Sequence, residues 1–178
     1  MKANIKILYI FFMAIFSCMN IFAQKGYAEK TNQLNDRGHK EGLWQEVVHT
    51  YWRTETYYKD GIKSGIFREY NTKGELTCFG EYTDNYISGT WYYFGDYGHL
   101  MSIQKDFSVN TDTVILDSKK QYVYPHKCYM ISYHPNGIIK DEGVLLWNED
   151  PELDDTREYG EWKYYDESGE LIKTKLFK

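Results

Sequence analysis

The sequence predicts an all-β fold: tandem antiparallel β-hairpins stacked into an extended, twisted single sheet. Three observations carry this reading. Glycine-led motifs recur in phase: Gly65-Ile66-Phe67 is followed nine positions later by Gly74, Gly89-Thr90-Trp91 by Gly98, and Gly160-Glu161-Trp162 by Gly169. Runs rich in aromatic and β-branched residues flank short loops that end in glycine, the pattern of a hairpin whose loop glycine takes the left-handed conformation at low cost. Aromatic residues make up 18% of the chain, with 18 tyrosines among them, which supplies the large side chains a thin sheet needs to cover its neighbours. Self-similarity at a fixed period signals units that bury their apolar sides only by stacking on one another.

The N-terminus precedes that pattern. Lys2 and Lys6 make a basic start, residues 7–16 are an unbroken apolar run, and Ile21-Phe22-Ala23 closes the segment before Gln24. Residues 1–23 therefore read as a secretory signal cleaved after Ala23, and the protein as exported to the periplasm or cell surface. Two alternatives stay open: lipidation at Cys18, against which stand the bulky Phe16 and the apolar run beyond the cysteine, and retention as an anchor, against which stand Ser17 and Asn20. Residues 24–35 read as a linker and 36–177 as the repeat domain.

Within the domain the copies follow in order. The first opens at Gly42-Leu43-Trp44 but has Tyr51 at the loop position. The second runs from Gly61 to Tyr82, with Asn71-Thr72-Lys73-Gly74 as its loop, and Tyr58 and Tyr82 set a period of 24. The third carries Gly89, Trp91, Phe94 and Gly98. An insertion at about 108–128 contains Thr113-Val114-Ile115-Leu116 and a loop near Tyr124-Pro125-His126, read as an extra strand or hairpin or a degenerate repeat. The fourth copy has Cys128 and Met130 where glycine and a large aromatic are expected, but keeps Tyr133 and Gly137. A second insertion at about 148–158 has six carboxylates within ten residues and is read as a solvated acidic loop; its spacing matches no calcium-binding pattern. The last copy carries Gly160, Trp162, Tyr165 and Gly169.

One spacing departs from a plain strand. Phe67 and Tyr70 are three apart, as are Trp91 and Phe94, and Trp162 and Tyr165. Positions three apart in a strand point to opposite faces, so either the strands are bulged or both faces bear aromatics.

The recurring order of glycine, aromatic two later, Tyr or Phe three further on, and glycine four after that resembles the MORN repeat in its bacterial variant form. The match stands at Gly65-Phe67-Tyr70-Gly74, Gly89-Trp91-Phe94-Gly98 and Gly160-Trp162-Tyr165-Gly169, and covers roughly residues 36–107 and 129–177. The resemblance implies MORN-type hairpin repeats. Members of that family include antitoxins of toxin–antitoxin pairs, and eukaryotic relatives include scaffolds and lipid-associated modules. It carries over no catalytic residue.

Charge and motif content narrow the function. The chain has 21 Lys and Arg against 26 Asp and Glu; removing the signal takes away two lysines and no acid. An acidic chain without a basic block argues against nucleic acid or an anionic membrane as partner. His39, His49, His99, His126 and His134 are scattered without zinc-ligand spacing. His126 and Cys128 lie two apart, so a strand would set them on one face beside Tyr124, but no orienting third residue is identified. No nucleophile elbow, phosphate loop or dinucleotide fingerprint is present. Catalytic, metal and cofactor sites are therefore expected to be none. Cys78 and Cys128 fall in strands at least ~14 Å apart across the sheet, too far to bridge. The expectation is a non-enzymatic exported interaction or scaffold module with an unidentified protein partner. The alternatives are an antitoxin-type or immunity-type neutraliser of an envelope toxin, and a glycan-binding protein.

Overall fold

The structure, a computed structural model, describes residues 30–48, 52–111, 113–116, 120–148 and 156–178. The signal-like segment, Tyr51 and residues 149–155 of the acidic insertion lie outside the described residues. The chain separates into Met1–Lys30 and Thr31–Lys178, and every element described belongs to the second unit. Its strands are β1 (Gln33–Leu34), β2 (Lys40–Val48), β3 (Trp52–Lys59), β4 (Ile62–Tyr70), β5 (Leu76–Thr83), β6 (Tyr86–Phe94), β7 (Leu100–Val109), β8 (Thr113–Leu116), β9 (Lys120–Val123), β10 (His126–Tyr133), β11 (Ile139–Trp147), β12 (Thr156–Tyr165) and β13 (Leu171–Phe177). β1 to β7 and β10 to β13 form one open, 11-stranded antiparallel sheet in chain order. The insertion after β7 supplies a hairpin of its own, β8–β9, as a separate 2-stranded sheet.

Connections alternate between two ends of the sheet. One end holds the glycine-terminated loops after β4, β6, β10 and β12. They share a single geometry: Gly74 N–H donates to Asn71 O, Gly98 to Gly95 O, Gly137 to His134 O and Gly169 to Asp166 O, at 2.8–3.1 Å. Short polar side chains lock two of them from within. Asn71 Oδ1 accepts from the N–H of Lys73 and Glu75, and Asp166 Oδ1 from those of Ser168 and Glu170. The opposite end holds the two-residue turns Asp60-Gly61 and Asp84-Asn85, with positive φ at both positions as a type I′ hairpin needs. The two insertions leave the sheet at this second end. The sheet also starts earlier than the boundary at residue 36. Asn35 to Gly38 repeat the same loop chemistry, with Gly38 N–H donating to Asn35 O, and fold Gln33 and Leu34 back onto β2.

The phase-keeping glycines of the first strands are bulge residues. Gly65 lies inside β4 with φ 116, where two steps along β3 (Thr56 to Tyr58) span four along β4 (Phe67 to Lys63). The same mismatch brackets Gly89, between Phe79–Glu81 and Tyr92–Ser88, and Gly160, between Glu142–Val144 and Lys163–Tyr159. A β-carbon at such φ is strained, so the repeat needs glycine here. The fourth copy shows the rule by exception. Cys128 replaces the glycine, β10 runs on without the wide bulge, and the irregularity moves to β7, where Asp106 takes φ 58.

Both faces bear aromatics, and the three-residue spacing divides them. Between Phe67 and Tyr70 the β3–β4 register is unbroken, so the two rings point to opposite faces. Register places Trp44, Phe67 and their successors Trp91, Met130 and Trp162 on one face. Trp91 and Trp162 lie flat across glycines of the preceding strand: a β-carbon on Gly80 would collide with the Trp91 ring, and one on Gly143 would come within 2.5 Å of Trp162. Each indole N–H is then satisfied by a carbonyl beside that glycine, Trp91 on Glu81 O at 3.2 Å and Trp162 on Val144 O at 2.8 Å. Phe67 stacks on Trp91 at 5.3 Å, and Tyr82 meets both rings edge-on. On the other face Tyr70 donates to Glu55 Oε2 at 3.2 Å and Tyr165 to Glu142 Oε1 at 2.7 Å. Buried clusters form on each face, Cys128 with Leu145 and Trp162 on the tryptophan face, and Tyr124 with Leu146 on the other.

Two substitutions test this packing. Gly143→Ala is expected to destabilise by ~1–3 kcal/mol, because the methyl has no room beneath Trp162. Trp91→Ala is expected to cost ~3–5 kcal/mol, as removal of a buried ring does. Denaturant midpoints measure both; an unchanged midpoint for either would show that its ring does not lie on the neighbouring strand.

Candidate functional site

The residues singled out for repeat phase are distributed by the fold rather than gathered. Gly42, Gly65, Gly89 and Gly160 sit in positive-φ positions in β2, β4, β6 and β12, and Gly74, Gly98, Gly137 and Gly169 in the loops. Trp44, Phe67, Trp91 and Trp162 run along one face, and Tyr70, Phe94, Tyr133 and Tyr165 along the other. They build the sheet and converge on no single point.

A concave site does form at the end where the two insertions leave the sheet. It is a cleft of about 400 Å³ lined by Lys63, Tyr82, Asn85, Tyr86, Phe107 and His126, with Trp147 and the edges of Ile87, Ser108 and Val109. The sheet positions each wall. Asn85 belongs to the type I′ turn between β5 and β6; its N–H donates to Lys63 O at 3.0 Å and its Oδ1 accepts from Lys63 N at 2.8 Å, tying that turn to β4. Phe107 ends β7, His126 opens β10 and Trp147 ends β11, so pairing of these strands brings the three together. His126 stacks on Trp147 with centroids 5.2 Å apart and planes 24° apart, and Phe107 meets the same indole edge-on at 5.7 Å. Lys63 Nζ lies 4.8 Å over the Tyr82 ring. Tyr86 and Val109, each 73% exposed, form the open rim.

Among the described residues the walls are aromatic and aliphatic, the fixed charge is the ammonium of Lys63, and no Asp or Glu lines the cleft. Among the described residues no cluster of His, Cys, Asp and Glu is placed to hold a metal ion. The most buried carboxylate lies away from the cleft. Glu55 accepts from Gln45 Nε2 at 3.0 Å, Arg68 at 3.3 Å and Tyr70 at 3.2 Å, with Arg53 at 3.8 Å, a network that ties β2, β3 and β4 across the tyrosine face.

The sequence pairing of His126 with Cys128 holds in one respect and changes in another. Both lie on β10, facing Trp147 and Leu145, but Tyr124 packs with Leu146 in the other cluster. Tyr124 precedes Pro125 outside the strand, where strand alternation does not govern its direction, and its carbonyl is held by Asn110 Nδ2 at 2.9 Å. Cys78 on β5 and Cys128 on β10 are free, buried thiols with β6 and β7 between their strands. Of the cleft residues the sequence reading named Tyr82, for repeat phase, and His126, for its spacing to Cys128; the others escaped because they are off the repeat phase. A signal was present: Phe107 stands before the first interruption and His126 near its end, Trp147 stands before the second, and Tyr86 follows a tight turn.

Neither a scan against models of protein families nor a search of curated proteins matches this chain.

Burial sets the response to alkali. It pushes both thiols from an ordinary 9.0 up to about 12. Burial, and then the nearby carboxylates Glu142 and Glu158, push Tyr129 and Tyr164 from 10.0 up to about 12. Groups whose folded pKa is raised contribute stability that is complete below the unfolded pKa and is lost as pH climbs through the folded one. Thermal midpoints are therefore expected to hold up to about pH 9 and fall progressively between 9 and 12. In the native state at pH 8, both thiols are expected to resist alkylation and to label fully on unfolding; rapid native labelling of either would contradict its burial.

Proposed function

We propose that this protein is an exported, non-enzymatic interaction module, in which MORN-like hairpin repeats form a rigid scaffold and the aromatic cleft grips a protein partner. The observation that carries this reading is the placing of the cleft. It is a concave site on the sheet, it lies where both insertions interrupt the repeat, and its walls, Tyr82 excepted, stand outside the repeat motif. Insertions in repeat arrays map to loops and commonly to the binding side.

The lining suits a protein anchor. Tyr and Trp dominate interface hot spots because a rigid ring offers large contact area with little entropy to lose. An apolar side chain of the partner fills the space between Tyr86, Phe107 and Trp147, and an acidic neighbour of that side chain meets Lys63. The signal-like N-terminus supports export, and an envelope-located toxin is one partner of this kind. A glycan-processing cleft would pair its rings with carboxylates, and among the described residues the lining has none.

The test is crosslinking capture by the tagged mature protein from a native envelope fraction, beside Tyr86→Ala and Trp147→Ala variants, with identification by mass spectrometry. Tyr86→Ala is expected to leave stability within ~0.5 kcal/mol, since the ring is a rim residue, and to abolish enrichment of the partner. Equal capture by wild type and both variants would place the binding surface elsewhere. No capture, with binding to polysaccharide instead, would overturn the protein-partner reading.

A further inference from the structure

The two edges of the sheet are unlike. At the first, β1 pairs with the start of β2, and Asn32 continues the cover: its N–H donates to Leu43 O at 2.9 Å, its Nδ2 to Gln45 O at 3.1 Å, and its Oδ1 accepts from Gln45 N at 2.7 Å. Trp44 Nε1 adds a bond to Gln33 O at 3.1 Å. One asparagine side chain thus imitates a strand, and the edge is closed from Lys40 to Gln45. At the other edge β13 pairs with β12, and its outer side meets no strand among the described residues. Such an edge presents alternate N–H and C=O groups ready for a further strand. Leu171 to Leu176 are exposed, with Ile172 at 63% and Leu176 at 67%.

We propose that β13 is a docking edge that takes an extended acidic segment of a partner protein as an added strand. Charge selects this occupant. The segment Leu171 to Lys178 carries Lys173, Lys175 and Lys178 and no acid, on a chain whose net charge is −5. Lys173 and Lys175 share the tryptophan face, where their ammoniums lie 4.5 Å over the Tyr164 ring and 4.0 Å over the Phe177 ring. Leu171, opposite Tyr165, and Leu176, opposite Glu161, share the other face, with Ile172 the extra residue of a bulge between Leu171 and Lys173. A strand alternating carboxylate and apolar residues therefore matches β13 on both faces: acids opposite the lysines, apolar groups beside Leu171 and Leu176.

The same lysines exclude a second copy. A two-fold pairing of β13 with itself that keeps each face continuous must oppose residues of like parity. Its most overlapping registers set Lys173 against Lys175, or a lysine against its own copy. Like charges directly opposite across strands are destabilising, whereas opposite charges are favourable. The edge is closed to itself and open to an acidic strand, the mode of recognition by strand addition.

The experiment uses the purified protein and a labelled short peptide alternating valine and glutamate, with a valine–lysine peptide as control. Fluorescence anisotropy reads binding, and hydrogen exchange reads protection of residues 171–177. The glutamate peptide is expected to bind and to slow exchange in β13. Lys173→Glu with Lys175→Glu should weaken it by roughly tenfold and transfer preference to the lysine peptide, at an unchanged melting temperature. Trp147→Ala should leave this binding intact, which separates the edge from the cleft. Binding without slowed exchange in β13, affinity indifferent to the charge reversal, absence of binding, or self-association through β13 would each overturn the proposal.

Discussion

A sheet one layer thick has no second layer to press its side chains against, so its large rings must be hidden on its own backbone. That constraint organises the molecule. Trp91 lies on Gly80 and Trp162 on Gly143, each with its indole N–H on the next carbonyl. The geometry is made by the bulges at Gly89 and Gly160, each two residues before its ring, which break the ladder locally. The magnitudes favour the trade. A fully buried ring hides roughly 150–250 Å², worth at most about 4–6 kcal/mol at 25 cal/mol per Å². One or two ladder hydrogen bonds lost at a bulge are worth about 1 kcal/mol each, and the indole recovers one of them.

The opposite face solves the same problem with hydroxyls. Tyr70 reaches Glu55 and Tyr165 reaches Glu142, at equivalent places in their copies, since Glu55 opposes Arg68 and Glu142 opposes Lys163. In the third copy the tyrosine is Phe94, and the residue standing where the glutamate would be is Phe79, opposed by Tyr92. Donor and acceptor are lost together there. A buried acceptor left unmatched would cost more than the pair contributes; the fourth copy loses the acceptor alone, keeping Tyr133 while Ile103, opposed by Ile131, stands at the glutamate position. The three-residue spacing that looked anomalous in the sequence is the simple result of one ring for each face.

The sequence was most legible where a residue's role is local. Period, loop glycines and strand alternation depend on nearest neighbours, and they led to the hairpins, the single sheet and the wide separation of Cys78 from Cys128. Roles that depend on the strand next door were hidden. Gly80 and Gly143 look like ordinary strand glycines until a tryptophan from the following strand is seen lying on them. Asn32 and Asn35 fell inside a presumed linker because they precede the first full repeat, although the Asn35–Gly38 loop has the same asparagine-to-glycine chemistry as its counterpart at 71–74. The cleft was least legible of all, since Lys63, Tyr86, Phe107, His126 and Trp147 come from five strands and share no motif.

The two ends of the sheet divide labour on this basis. At the glycine-loop end the four connections after β4, β6, β10 and β12 share one length and one hydrogen-bond pattern, which fix register and leave little to vary. The other end holds the Asn35–Gly38 loop, two tight turns and two insertions, and a residue placed at an insertion can change without disturbing the ladder behind it. Phe107, His126 and Trp147 stand at that boundary, held by strands yet released from the repeat. In a repeat protein the units that agree make the scaffold, so recognition falls to the places where they disagree. Here the two proposed places are the cleft at the interrupted end and the lysine-bearing edge strand β13.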